Sequence, residues 1–168
     1  MTEETTKPEH SFGTKMAFLY PIIYLVAIIA SALYDIYASG RDPVESFLFY
    51  TIILGIGLNF TISFFMHYFN GDNIARGIGW AVGSPFQKEL AWASLGIGLS
   101  AWLCIWFSGD YWIAPVVAAS VFLLGAAYGH IKEIVVNKNV SPGNAGAVLY
   151  MDIILPVAAF VLLYLHLA

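Results

Sequence analysis

Five long apolar blocks dominate the sequence: Met16 to Ala38, Phe47 to Phe69, Leu90 to Ser108, Tyr111 to Ile131 and Ala147 to Ala168. Each is 19 to 23 residues long, close to the ~20 residues that carry an α-helix across the hydrocarbon of a bilayer. The apolar residues run continuously instead of recurring on one helical stripe, which separates these blocks from amphipathic helices of a soluble core. In lipid the backbone must satisfy its own hydrogen bonds, so each block is expected to be a helix. The expectation is an all-α, polytopic membrane helical bundle with five transmembrane helices. Residues 1–15 are expected to form a disordered cytoplasmic tail, and 16–168 a single domain. Ala30-Ser31-Ala32 resembles a cleavage site, but Pro21, the tyrosines and the glutamates of the tail favour a retained first span.

Composition supports this assignment. Of 168 residues, 60% are hydrophobic and 11% charged, against about a quarter charged in soluble domains. With a net charge of −4 and scattered cations there is no basic stripe for a nucleic acid. The partner the sequence implies is the lipid bilayer, with a second copy or another membrane subunit as a further option. The single cysteine, Cys104, lies in an apolar run without metal-ligand spacing and reads as a small packed residue.

Cation placement sets an expected orientation. With the N-terminus in the cytoplasm, Lys7, Lys15, Arg76, Lys88, Lys132 and Lys138 fall inside, and Arg41 alone falls outside. The C-terminus is then outside, in a multi-pass protein of the cell inner membrane or plasma membrane. Residues 70–89 are too polar to span and too apolar to float free. This stretch is expected to be an interfacial or re-entrant segment between helices two and three, with Ile74, Ile78 and Trp80 towards lipid and close packing or a tight turn at Gly77, Gly79 and Gly83.

On this topology the chemistry-bearing residues gather at the cytoplasmic ends of the helices: His67, Asp72, Gln87, Glu89, His130, Glu133, Asn144 and Asp152. Gly55, Asn59, Ser63 and His67 recur every four residues and are expected to share a face of the second span. Glu89, Ala93, Gly96 and Ser100 are expected to give a small, polar face on the third. His130 and Glu133 are i,i+3 neighbours. Asp152 lies about two turns inside the last span, where a carboxylate costs about 2.5–3.5 kcal/mol without a partner, and His130 or His67 is the natural one.

Four readings follow, one of them an enzyme at the inner leaflet that uses the cluster as acid–base or metal-water machinery. Glu89, His130, Glu133, Asp152 and His67 could hold a divalent metal such as zinc, iron or manganese, with Asp72, Gln87, Asn59 and Asn144 around them. A carboxylate–histidine chain could handle protons or cations, although no ionisable path continues to the outside. The residues could also only lock helix ends together in a structural or accessory subunit. Asn59 reads best as a helix–helix hydrogen-bonding residue. Haem held by His67 and His130 is the least favoured cofactor. No nucleophile triad, zinc-protease motif or phosphate-cradling loop occurs.

Three strings are distinctive: Ile78-Gly79-Trp80-Ala81-Val82-Gly83-Ser84-Pro85-Phe86-Gln87-Lys88-Glu89, Gly125-Ala126-Ala127-Tyr128-Gly129-His130-Ile131-Lys132-Glu133, and Asn144-Ala145-Gly146 followed by Tyr150 and Asp152. Together they resemble a family of small bacterial and archaeal integral membrane proteins known as a domain of unknown function. The resemblance covers about residues 45 to 165 and is most specific at Gly-Ser-Pro-Phe-Gln-x-Glu. It implies a multi-span membrane protein and assigns no role to any residue.

Overall fold

The computed structural model describes residues 12–168, with side chains described from Tyr20 onward. Residues 1–11, most of the expected tail, lie outside the described residues, as does His10. The described chain is helical throughout, with no strand. The elements are α1 (Phe12–Ser39), α2 (Pro43–Tyr50), a π-helical segment (Thr51–Leu58), α3 (Asn59–Ile78), α4 (Phe86–Trp102), α5 (Ile113–Asn137), a single turn α6 (Pro142–Ala145) and α7 (Ala147–Leu167). Short 3₁₀ turns, Leu103–Ile105 and Gly109–Trp112, join α4 to α5.

Four stretches are long and apolar enough to cross a membrane: Tyr20–Ser39, Pro43–Ile78, Gly109–Asn137 and Pro142–Leu167. The third expected span is shorter than the others. It forms the 17-residue α4, lengthened only by the 3₁₀ turn that follows. Leu48, Ile52, Ile56, Phe60, Val116, Leu123, Leu155 and Ala159 form the centre of the core. Large apolar side chains such as Val121, Ile154, Val157 and Tyr164 are exposed on the outside.

α2, the π segment and α3 run as one rod. A π turn accommodates extra residues per turn and frees backbone groups from the regular ladder. The carbonyl of Gly57 in this segment accepts the Thr61 hydroxyl at 2.7 Å, and Thr61 in turn accepts the Trp102 indole N–H at 3.0 Å. Gly98 of α4 fits against the same spot: a Cβ there would stand 3.0 Å from Thr61 Oγ1 and 3.2 Å from the Gly57 carbonyl oxygen. The π segment is therefore tied sideways to α4.

The face expected from Gly55, Asn59, Ser63 and His67 does not hold together. Gly55 packs on Leu155 of α7, Asn59 accepts a hydrogen bond from Tyr20 of α1, Ser63 pairs with Ser94 of α4, and His67 pairs with Gln87. Four-residue steps in an α-helix drift by about 40° each, and the π segment adds its own rotation. The stripe therefore winds past three neighbours. The small face of α4 also differs from expectation. Ala91, Ser94, Gly98 and Ala101 are the buried residues, whereas Glu89, Ala93 and Gly96 are exposed.

Residues 70–89 are mostly helical. α3 kinks at Asn70 (φ −132°, ψ 23°) and continues to Ile78, and α4 begins at Phe86, leaving only 79–85 as loop. Gly79, at φ 82°, ends α3 in the left-handed conformation. Its N–H reaches the Arg76 carbonyl at 3.1 Å and the Trp80 N–H reaches the Ala75 carbonyl at 2.8 Å, a closure that satisfies the last carbonyls. α5 ends similarly at Lys138 (φ 54°), with the Asn139 N–H on the Glu133 carbonyl at 3.2 Å.

Candidate functional site

These two helix ends meet, and their meeting builds the site. The Asn139 side chain donates to the Ile78 carbonyl at 2.9 Å. Gly143 lies so close to α3 that a Cβ would stand 2.6 Å from the Gly77 carbonyl oxygen. The loop leaving α3 then carries Trp80 over His130, ring centroids 5.8 Å apart and 24° from parallel. Trp80, expected to face lipid, is exposed on its outer side and forms one wall of the site with its ring over His130.

Behind it, Asn144 is fully buried (0% exposed), with His130 at 5% and Asp152 at 7%. The Asn144 side-chain nitrogen donates to the carbonyls of His130 (3.2 Å) and Asn139 (2.8 Å). Its oxygen is thereby turned to His130 Nδ1 at 2.8 Å. An amide oxygen only accepts, so Nδ1 carries a hydrogen. His130 Nε2 then faces Asp152 Oδ2 at 3.8 Å, an ion-pair separation longer than a hydrogen bond.

This arrangement has a chemical consequence. A lone pair on Nε2 opposite an ionised carboxylate, both shielded from water, leaves a buried charge without compensation. One proton held by either partner leaves the pair without net charge, and at 3.8 Å it is not shared between them. Among the described residues no other carboxylate lies within 4.0 Å of His130.

The remaining expected ligands lie elsewhere. Glu133 accepts from Asn137 Nδ2 at 2.9 Å. Glu89 is exposed in the first turn of α4, where a carboxylate complements the helix dipole. His67 Nδ1 meets Gln87 Oε1 at 2.7 Å. Asp72 accepts the Gly83 N–H at 2.9 Å, pinning the loop that carries Trp80. Asn59 is bonded to Tyr20. Of the five residues expected to ligate a metal, only His130 and Asp152 come together. Among the described residues no group of three or more His, Cys, Asp or Glu side chains is placed to hold a metal ion. His67 and His130 belong to separate hydrogen-bond networks, and His166 stacks on Trp112 at the opposite end.

Asn139 and Trp80 were not expected in the site. Asn139 sits in a polar loop without periodicity. For Trp80, the two glycines beside it signal a turn but not its direction.

Fold and site together define an all-helical protein with four helices of membrane-spanning length and apolarity and a buried histidine–aspartate pair near one end. The chain belongs to the family of unknown function DUF6790, which matches residues 16–168. That match takes in the first helix, which the resemblance over 45 to 165 left out. No curated protein and no solved structure matches the chain.

Proposed function

We propose that this chain is a polytopic integral membrane protein of five spans that handles a proton at its His130–Asp152 pair. The observation that carries the reading is the Asn144 clamp, which dictates the histidine tautomer and leaves Nε2 facing a buried carboxylate. Ionisable groups inside membrane helices are commonly proton or ion sites. Membrane placement is supported by the four long apolar helices and by exposed aromatics towards both ends of the bundle. Phe65, Phe69 and Trp92 lie towards one end, and Trp106 and Phe107 towards the other.

In this reading the pair opens to the cytoplasm. Six of the seven cations belong to that side, and Arg41 is held at the other by Asp35 at 3.2 Å. Beyond the pair the core is apolar, with Leu123, Leu155 and Phe60 buried above it. The proton is therefore taken up and returned on one side, which suits a proton-coupled conformational change better than a through-channel.

Nitrogen NMR of the detergent-purified chain tests this. His130 should keep its Nδ1 hydrogen throughout a pH titration, and the titration should shift or vanish in Asp152→Asn. A His130 signal identical in the two proteins overturns the proton reading. The second reading, a structural or accessory subunit, then stands, because the same bonds tie α5, α6, α7 and the loop after α3 together.

A further inference from the structure

A second polar feature lies beside the first. Between the kinked end of α3 and the first turn of α4 is a cavity of about 460 Å³, whose wall includes His67, Tyr68, Phe69, Asp72, Ser84 and Lys88. Asp72 and Lys88 carry opposite charges on that wall and do not neutralise each other. The ion pairs among the described residues join Arg41 to Asp35, Arg41 to Glu45 and His130 to Asp152. Asp72 Oδ1 is occupied by the Gly83 N–H at 2.9 Å, and no hydrogen bond among the described residues takes Oδ2. Lys88 Nζ stands 5.7 Å from the centre of the Tyr68 ring, with no carboxylate within 4.0 Å. His67 meets the Gln87 side-chain oxygen through Nδ1, so its Nδ1 carries the hydrogen and Nε2 offers a lone pair.

The cavity thus presents acceptors on one part of its wall and an ammonium on another. Asp72 and Lys88 are both exposed, so a ligand carrying both charges can reach both, whereas a simple cation or anion reaches one. The acceptors Asp72 Oδ2 and His67 Nε2 call for N–H donors, so a primary ammonium fits better than a trimethylammonium. The Tyr68 face that could hold the latter already faces Lys88. Phe69 on the wall and Phe86 at the start of α4 are both exposed, so an apolar surface adjoins the polar one. This is the pattern of a site at the headgroup level of a bilayer.

We propose that this cavity binds the headgroup of a zwitterionic aminophospholipid. The primary ammonium rests against Asp72 and His67, and the phosphodiester rests against Lys88 with the Ser84 hydroxyl as a further donor. The inference rests on the membrane placement proposed above. Because Asp72 also holds Gly83, an occupied headgroup site steadies the loop that carries Trp80 over His130.

The test uses the full chain purified in mild detergent, with lipid binding followed by native mass spectrometry and by thermal stabilisation. The probes are dioleoyl phosphatidylethanolamine, the matching phosphatidylcholine and phosphatidylglycerol, and soluble glycerophosphoethanolamine. Phosphatidylethanolamine should bind about tenfold tighter than the other two lipids. Asp72→Asn keeps an oxygen for the Gly83 N–H and should bring phosphatidylethanolamine down to the phosphatidylcholine level. Lys88→Gln should weaken both of these lipids alike. Equal binding of all three lipids, or an unchanged preference in both variants, overturns the proposal. Glycerophosphoethanolamine binding as tightly as the lipid overturns the lipid assignment. Recovery of the chain in the soluble fraction of a cell extract would instead overturn the membrane reading beneath it.

Discussion

Asn144 is the residue on which the site turns. It satisfies the His130 ring and the Asn139 carbonyl at a fully buried position. Asn144→Leu should therefore cost about 1–3 kcal/mol, the penalty for a buried donor left without a partner, read as a lower unfolding midpoint in detergent. It should also let His130 adopt the other tautomer. Asp152→Asn, which keeps the shape of the side chain and removes the carboxylate, should leave the midpoint much closer to the wild type. A larger loss for Asp152→Asn than for Asn144→Leu would show that the ion pair, not the amide clamp, holds this end together. At this scale the sequence was partly readable. A carboxylate two turns inside an apolar span demands a partner, and His130 is the partner found. Asn144 stands out only as a polar residue before the last helix, since nothing local reveals that its amide reaches back across a turn to α5.

Helix ends do more of the positioning than helix faces do. α3 and α5 both finish in left-handed caps, and Gly143 at the meeting point admits no side chain. Gly143→Ala would bring a Cβ to 2.6 Å from a backbone oxygen that cannot rotate away. It should lower stability by about 1–3 kcal/mol, whereas Gly125→Ala, which meets nothing within 4 Å, should be neutral or slightly stabilising. Comparison of the two unfolding midpoints checks this. Trp80→Ala should remove the wall over His130, and diethylpyrocarbonate should then modify that histidine several-fold faster than in the wild type. Mass spectrometry of the labelled chain gives the rate, with His67, which Trp80 does not cover, as reference. Thr61→Val should strip the Trp102 indole of its acceptor and the Gly57 carbonyl of its donor, loosening the π segment from α4. Element boundaries were the less readable part. Apolar blocks mark where lipid-compatible sequence lies, but helices continue through polar residues when tertiary contacts support them. α5 therefore runs on to Asn137 and α3 passes its kink to Ile78. The π segment left no trace in the sequence, because Thr51–Leu58 is simply an apolar run with two glycines.

For the whole molecule, the all-helical architecture follows from the five apolar blocks, and the proposed topology makes a direct prediction. In a Cys104→Ala background, a cysteine placed at Asn137 should react with a membrane-impermeant maleimide only after the cells are opened. One placed at Asp110 should react in intact cells. The reverse pattern would invert the orientation, and labelling of both from one side would change the number of spans. The groups that failed to converge, Glu89, Glu133 and His67, share a depth with the pair, and helical spacing links only Glu133 to His130. Depth is shared by every side chain at one end of a bundle, while convergence depends on rotation about each axis, which apolar sequences specify weakly.

α1 is the least enclosed of the long helices. Only 17% of its most apolar stretch is buried against the remainder, compared with 50% for Pro43–Ile78. Its polar links to later helices include the Tyr20 hydroxyl on Asn59 and the Ser46 hydroxyl on Asp35. On the proposed membrane placement, a segment so nearly self-sufficient in hydrocarbon can leave the insertion machinery alone and wait, without a chaperone, for later segments to be synthesised. Its docking then begins when Ser46 and Asn59 arrive. Biogenesis of this protein is accordingly expected to tolerate a pause after residue 42 far better than one after residue 138, where half of the buried pair would be present and the other half not yet made.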